Sequence, residues 1–178
     1  MQIAHAIQST ELGTAIRESA LVFPVILTTH LACIAVFGGM ILVTNLRLLG
    51  LAFKDRAVAD MVDGLRNWKR LGFCIMVTMG ALLAGSEAEK YSINPFFWCK
   101  MVTLALIGIH GLAFRRSVYS KASEFDRTGV IPVRAKLAAA LSLLLWMGMV
   151  TFGRLIGYYE PAQKTQSVIQ TTAANHKS

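Results

Sequence analysis

Apolar positions along the chain gather into four blocks, 20–46, 71–86, 96–114 and 137–153, with the polar positions collected between them. A soluble domain spreads its apolar residues more evenly. A helix needs ~20 apolar residues to cross ~30 Å of hydrocarbon, and a run of that order is a candidate span. The pattern predicts membrane-spanning helices over about 20–46, 68–88, 96–114 and 137–159. The second block is short. It borrows Trp68 below and Ala88 above, with Lys69 and Arg70 reaching out to the interface. The expected fold class is all-α: an integral membrane four-helix bundle with connections short enough for antiparallel neighbours.

The ends of the blocks carry their own signals. Pro24 falls in the first turns of span 1, where a missing N–H costs least. Asn94-Pro95 stops one segment and restarts the next, and Phe96, Phe97 and Trp98 form an interfacial aromatic belt. Tyr158 and Tyr159 make a second belt before Pro161. The tail over 161–178 is polar and expected to be disordered. Residues 1–19 lack a basic n-region and are no signal peptide. Ile3, Ile7, Leu12 and Ile16 share one broad side of a helix, which predicts a short N-terminal interfacial helix.

Composition supports the class, with 54% hydrophobic and 16% charged residues, and the charge distribution orients the chain. Arg47, Lys54, Arg56, Arg66, Lys69 and Arg70 lie in one loop. Arg115, Arg116, Lys121, Arg127, Arg134 and Lys136 lie in the other. These are 12 of the 18 basic residues. The positive-inside rule puts both long loops in the cytoplasm and both termini on the periplasmic side of a bacterial inner membrane, N-out and C-out. The net charge of +8 therefore encodes orientation and gives no reason to expect a nucleic-acid partner.

Ionisable residues inside spans are the default functional candidates. Here they are few, and none of the four apolar blocks carries Asp or Glu. His30 in span 1 and His110 in span 3 are candidate axial ligands of a b-type haem. Their distances from the flanking charges place them at depths differing by ~10 to ~18 Å, which disfavours one haem held by both. Each reads more readily as a core histidine hydrogen-bonded to a neighbour. His30 with Cys33, and Met76 with Met79, form soft i, i+3 pairs of a kind that takes Cu(I). Met and Cys are also ordinary core fillers. Cys33, Cys74 and Cys99 sit in three separate blocks with no C-x-x-C, so no disulfide framework or zinc site is expected. No nucleotide-binding, hydrolase or zinc-protease motif occurs. A transporter would want a broken span or buried carboxylates. Small residues mark expected contact faces at Ala35 and Gly39, at Ala81 and Gly85, and at Gly153 and Gly157, the last a G-x-x-x-G.

Several strings carry a resemblance. They are Phe23-Pro24 with His30, Leu46-Arg47-Leu48-Leu49-Gly50, Asn94-Pro95-Phe96-Phe97 with Lys100, and Leu141-Ser142-Leu143 with Trp146, Gly153-Arg154, Ile156 and Tyr158. In this order they resemble an uncharacterised family of small bacterial four-span inner-membrane proteins, over roughly residues 15–160. Asn45-Leu46 stands where that pattern has an aspartate, and Val25-Ile26-Leu27 where it has an acidic residue near His30. The resemblance implies the fold and compartment. It singles out His30, Arg47, Lys100, Trp146 and Arg154, with Lys100 placed to snorkel or to pair with Glu87 or Glu89. The expected role is a non-catalytic anchor or scaffold subunit with a protein partner or a second copy in the bilayer. The alternatives are a b-type haem electron-transfer subunit and a metal or small-solute transporter.

Overall fold

The computed structural model describes residues 2–159, and the tail expected over 161–178 lies outside them. The described residues form helices and turns, with no strand. Four helices are long and apolar enough to cross a membrane. The chain is a multi-pass helical membrane protein.

The N-terminal segment is two helices, not the one expected. α1 (Gln2–Gln8) stops at Ser9, and α2 (Glu11–Glu18) restarts from Thr10. Thr10 is the N-cap, its hydroxyl accepting the Gly13 N–H at 3.2 Å. A threonine hydroxyl offers the backbone an alternative to a continuous helix and so breaks the segment here. Both helices lie against the end of the second span. Ile16 is buried there, whereas Ile3 and Leu12 stay exposed.

α3 (Val22–Leu49) is 28 residues long, with Pro24 in its first turn as the sequence predicts. At 1.5 Å per residue it is ~42 Å long, more than the hydrocarbon requires. It runs past the expected exit at Asn45–Arg47 because its stop is Gly50, in the left-handed region at φ 74°. The Gly50 and Leu51 N–H groups bond back to the Arg47 and Leu46 carbonyls, each at 3.0 Å. Only glycine takes that backbone angle without penalty.

α4 (Val58–Gly64) leads almost directly into α5 (Arg66–Ser86). A short α6 (Ala88–Ser92) connects to α7 (Pro95–Ser117). Asn94 caps α7 through its side chain, which accepts the Phe96 N–H at 3.0 Å, and Pro95 takes the first position. After a 3₁₀ turn at Tyr119–Lys121 come α8 (Ala122–Thr128) and α9 (Val133–Leu155), the latter ending in a second 3₁₀ turn at Ile156–Tyr158.

The long helices are ordered α5–α3–α9–α7: α3 packs against α5 and α9, and α9 against α7. α5 and α7 are consecutive in sequence yet do not pack along their lengths. The expectation that short connections make neighbours fails there: α6 joins α5 to α7, and α1 packs against α6.

Two cores result. The inner one has Phe37, Met76 and Met149 at its centre, with Cys33, Phe73 and Trp146 packed around it. The other lies at the loop end, where α4 and α8 fold together over Leu48, Val118, Ala135, Ala138 and Ala139 to make a cap. Asp126 pins this cap. Its two carboxylate oxygens accept the Val58 and Ala59 N–H groups at 2.7 and 2.8 Å. Those are the free donors at the start of α4, so Asp126 caps a helix from across the sequence.

Candidate functional site

The residues singled out by the sequence lie apart in space. His30 sits at the α3–α5 contact, its Nδ1 2.9 Å from the Met76 carbonyl. A carbonyl only accepts, so the imidazole donates through Nδ1. Gly80 makes room for the ring: a Cβ there would stand 2.9 Å from His30 Cε1. Cys33 joins Met76 in the inner core one turn further on. Met79 is half-buried. No group of three His, Cys, Asp or Glu among the described residues forms a metal-binding cluster.

His110 sits at the α7–α9 contact. Its Nε2 donates to the Ala138 carbonyl at 3.0 Å, and its ring lies 4.8 Å from that of Phe114. Counted from the starts of α3 and α7, His30 lies ~12 Å deep and His110 ~22 Å deep. The two histidines occupy different depths and different helix pairs, so the fold does not bring them together.

A polar layer at the loop end, which sequence reasoning missed, ties three further points. Asn45 donates to the Ser142 hydroxyl at 3.0 Å, joining α3 to α9. Lys69 donates to the Thr44 hydroxyl at 2.7 Å, joining α5 to α3, and Thr44 donates to the Met40 carbonyl. Asn45 Oδ1 is buried with no partner among the described residues. Asn45 stands where the resemblance expects an aspartate nearby, and an uncharged amide is the group that can be buried there at lower cost. Arg47 lies just outside this layer. It donates to the Arg56 carbonyl at 2.6 Å and approaches Asp126 at 3.9 Å, so it ties the α3–α4 loop to the cap.

A further group lies at the end that carries the N-terminal helices. Lys100 pairs with neither Glu87 nor Glu89. Glu87 instead accepts from Lys90 at 2.8 Å, which holds the Lys90 ammonium above the ordinary lysine range. Burial pushes the neighbouring Tyr91 phenol up as well. The Lys100 side chain turns inward over Gly153 of α9, where a Cβ would lie 3.6 Å from Nζ. Arg154, next along α9, is exposed and lies 5.3 Å from the Tyr158 ring centre.

The small-residue faces are used differently from the expected pattern. Gly153 receives the Lys100 stem and Gly157 has nothing within 4 Å, so the G-x-x-x-G pair does not bring two described helices together. Gly39 also faces open space. Its neighbour Gly38 makes the close approach: a Cβ there would fall 2.4 Å from Trp146 Nε1. Trp146 is therefore an interior wedge, packed edge-on against Phe37 at 5.3 Å between ring centres. Ala81 and Gly85 line a small recess of about 140 Å³ beneath Ile7, Gly13 and Ile16, so this pair receives the N-terminal helices instead of a span.

Together these features define a membrane bundle whose interior polar groups bridge helices. The chain belongs to DUF6644, a family of unknown function, whose family model matches residues 19–159. No curated protein matches the chain, and no solved structure does.

Proposed function

We propose that this protein is a non-catalytic bacterial inner-membrane subunit that anchors or scaffolds a membrane complex, with both termini on the periplasmic side. One observation carries the reading. The polar side chains within the spans are largely committed to neighbouring helices: His30 to Met76, His110 to Ala138, Asn45 to Ser142 and Lys69 to Thr44. Such bonds hold helices in one arrangement in lipid. Exposed apolar side chains such as Leu31, Leu106, Ile109 and Leu144 cover the outside of the bundle, where bilayer or partner helices pack. The basic loops support the orientation. Native-mass analysis of protein extracted in mild detergent tests the role. The expected result is a defined partner or a second copy; a clean monomer with no co-purifying protein refutes it. Labelling of single cysteines placed in the 47–57 loop and in α1 tests the orientation.

A second reading, a b-type haem subunit, has one observation in its favour. His30 donates through Nδ1 to a backbone carbonyl, the arrangement that leaves Nε2 free to ligate and fixes the ring. It predicts a Soret band that weakens in His30→Ala. A colourless preparation from haem-replete cells removes it.

A further inference from the structure

Among the described basic residues of the long helices, Lys100 is a half-buried one that the fold leaves uncommitted. Among the described residues its ammonium has no hydrogen bond and no ion pair, whereas Lys69, the other lysine facing the interior, is satisfied by Thr44. None of the four apolar blocks offers a carboxylate. An ammonium turned into a bundle at membrane depth is costly unless an anion meets it. The ammonium does not simply point outward to water: it lies over Gly153, which leaves space for its stem. Lys100 keeps partial exposure.

The level of Lys100 identifies the anion. It lies ~8 Å from the start of α7. The aromatic residues Phe96, Phe97 and Trp98 immediately before it mark the headgroup boundary. The anion that the bilayer supplies at this level is a phosphodiester. We propose that Lys100 holds the phosphate of a phospholipid whose headgroup enters the bundle at the end that carries the N-terminal helices. The site is independent of the scaffold and haem readings, since it needs only a bilayer.

The experiment uses purified full-length protein in maltoside micelles. Its thermal midpoint is followed while phosphatidylglycerol, phosphatidylcholine or inorganic phosphate is added, and lipid affinity is measured by native-mass titration. Phosphatidylglycerol should raise the wild-type midpoint, and inorganic phosphate should not. Lys100→Met should abolish the shift and weaken phosphatidylglycerol binding by about tenfold or more, the loss expected for one hydrogen bond to a charged group. Without lipid, Lys100→Met should melt no lower than wild type, because it removes an unpaired charge. Lys100→Arg and the exposed Arg154→Gln should keep the lipid response. If Lys100→Met does not fold, ³¹P dephasing of a ¹⁵Nζ-lysine signal that disappears in Lys100→Arg decides the matter in folded protein. Equal responses in wild type and Lys100→Met overturn the proposal. So does loss of the response in Arg154→Gln, a shift with inorganic phosphate as large as with lipid, or the absence of any dephased lysine signal.

Discussion

Gly38→Ala adds one methyl group at the closest approach between two spans. The new Cβ would stand 2.4 Å from Trp146 Nε1 and 2.7 Å from both Cε2 and Cζ2. Carbon atoms pack at about 3.5–4.0 Å, so the indole would have to retreat by roughly 1 Å. It has little room to do so: Phe37 holds its edge at 5.3 Å, and the Met76–Met149 core lies behind. A rigid bicycle cannot fold away as a lysine or methionine would. Overpacking of this kind costs about 1–3 kcal/mol. Disturbing the Phe37–Trp146 pair costs about 0.5–1.5 kcal/mol more. Alanine in place of glycine returns up to about 1 kcal/mol of helix propensity. The net expectation is a loss of about 0.5–4.5 kcal/mol. The control is the next residue. Gly39 faces open space, so Gly39→Ala meets no clash and gains the propensity alone. Reversible unfolding in mixed micelles, followed by tryptophan fluorescence, compares the two variants. Adding Trp146→Ala to Gly38→Ala should recover the clash term, making the pair non-additive. If Gly38→Ala proves as stable as Gly39→Ala, the wedge account of the α3–α9 contact is wrong.

Three further outcomes follow from other parts of the molecule. Asp126→Ala should cost about 0.5–2 kcal/mol, the range for a lost helix cap, and speed hydrogen exchange at the Val58 and Ala59 amides; unchanged exchange there would show that Asp126 does not hold the cap. His30→Leu and His110→Leu each remove one interhelical bond, worth roughly 0.6 kcal/mol in lipid, so a loss above about 3 kcal/mol in chemical unfolding would mean that the histidine does more than bridge helices. At the α6 turn, Lys90 and Tyr91 both hold their protons more tightly in the fold than in the unfolded chain. Their stabilisation is fully present below their ordinary values of 10.5 and 10.0 and is lost as pH rises through the raised ones. The thermal midpoint of wild type should therefore fall more steeply above pH 10 than that of Tyr91→Phe, and parallel curves would refute this.

The amino-acid sequence by itself determined the class, the number of spans and most of their ends. Block hydrophobicity, Pro24 and the Asn94-Pro95 restart are local signals, and helices in lipid close their own hydrogen bonds without help from distant residues. Gly50 was equally local, and its left-handed stop accounts for the three extra residues at the end of α3. Which residues touch is a different matter. Gly38 and Gly39 are adjacent and chemically identical, yet one meets Trp146 and the other meets nothing, because the rotation of α3 is set by its packing against α9. Gly153 and Gly157 carry the packing motif, but one receives a lysine stem and the other lies in a 3₁₀ turn. The basic loops read as solvated charge until Asp126, 67 and 68 residues away from its partners, folds them into a cap. The depth difference between His30 and His110 was legible by counting residues; the carbonyls that receive them were not, because every helix offers the same carbonyls and only the three-dimensional arrangement selects one. The placement of the Lys100 side chain was decided the same way. Its place near the membrane boundary is written in the sequence, but its position over Gly153 depends on the packing of α7 against α9, and Lys90 already holds Glu87.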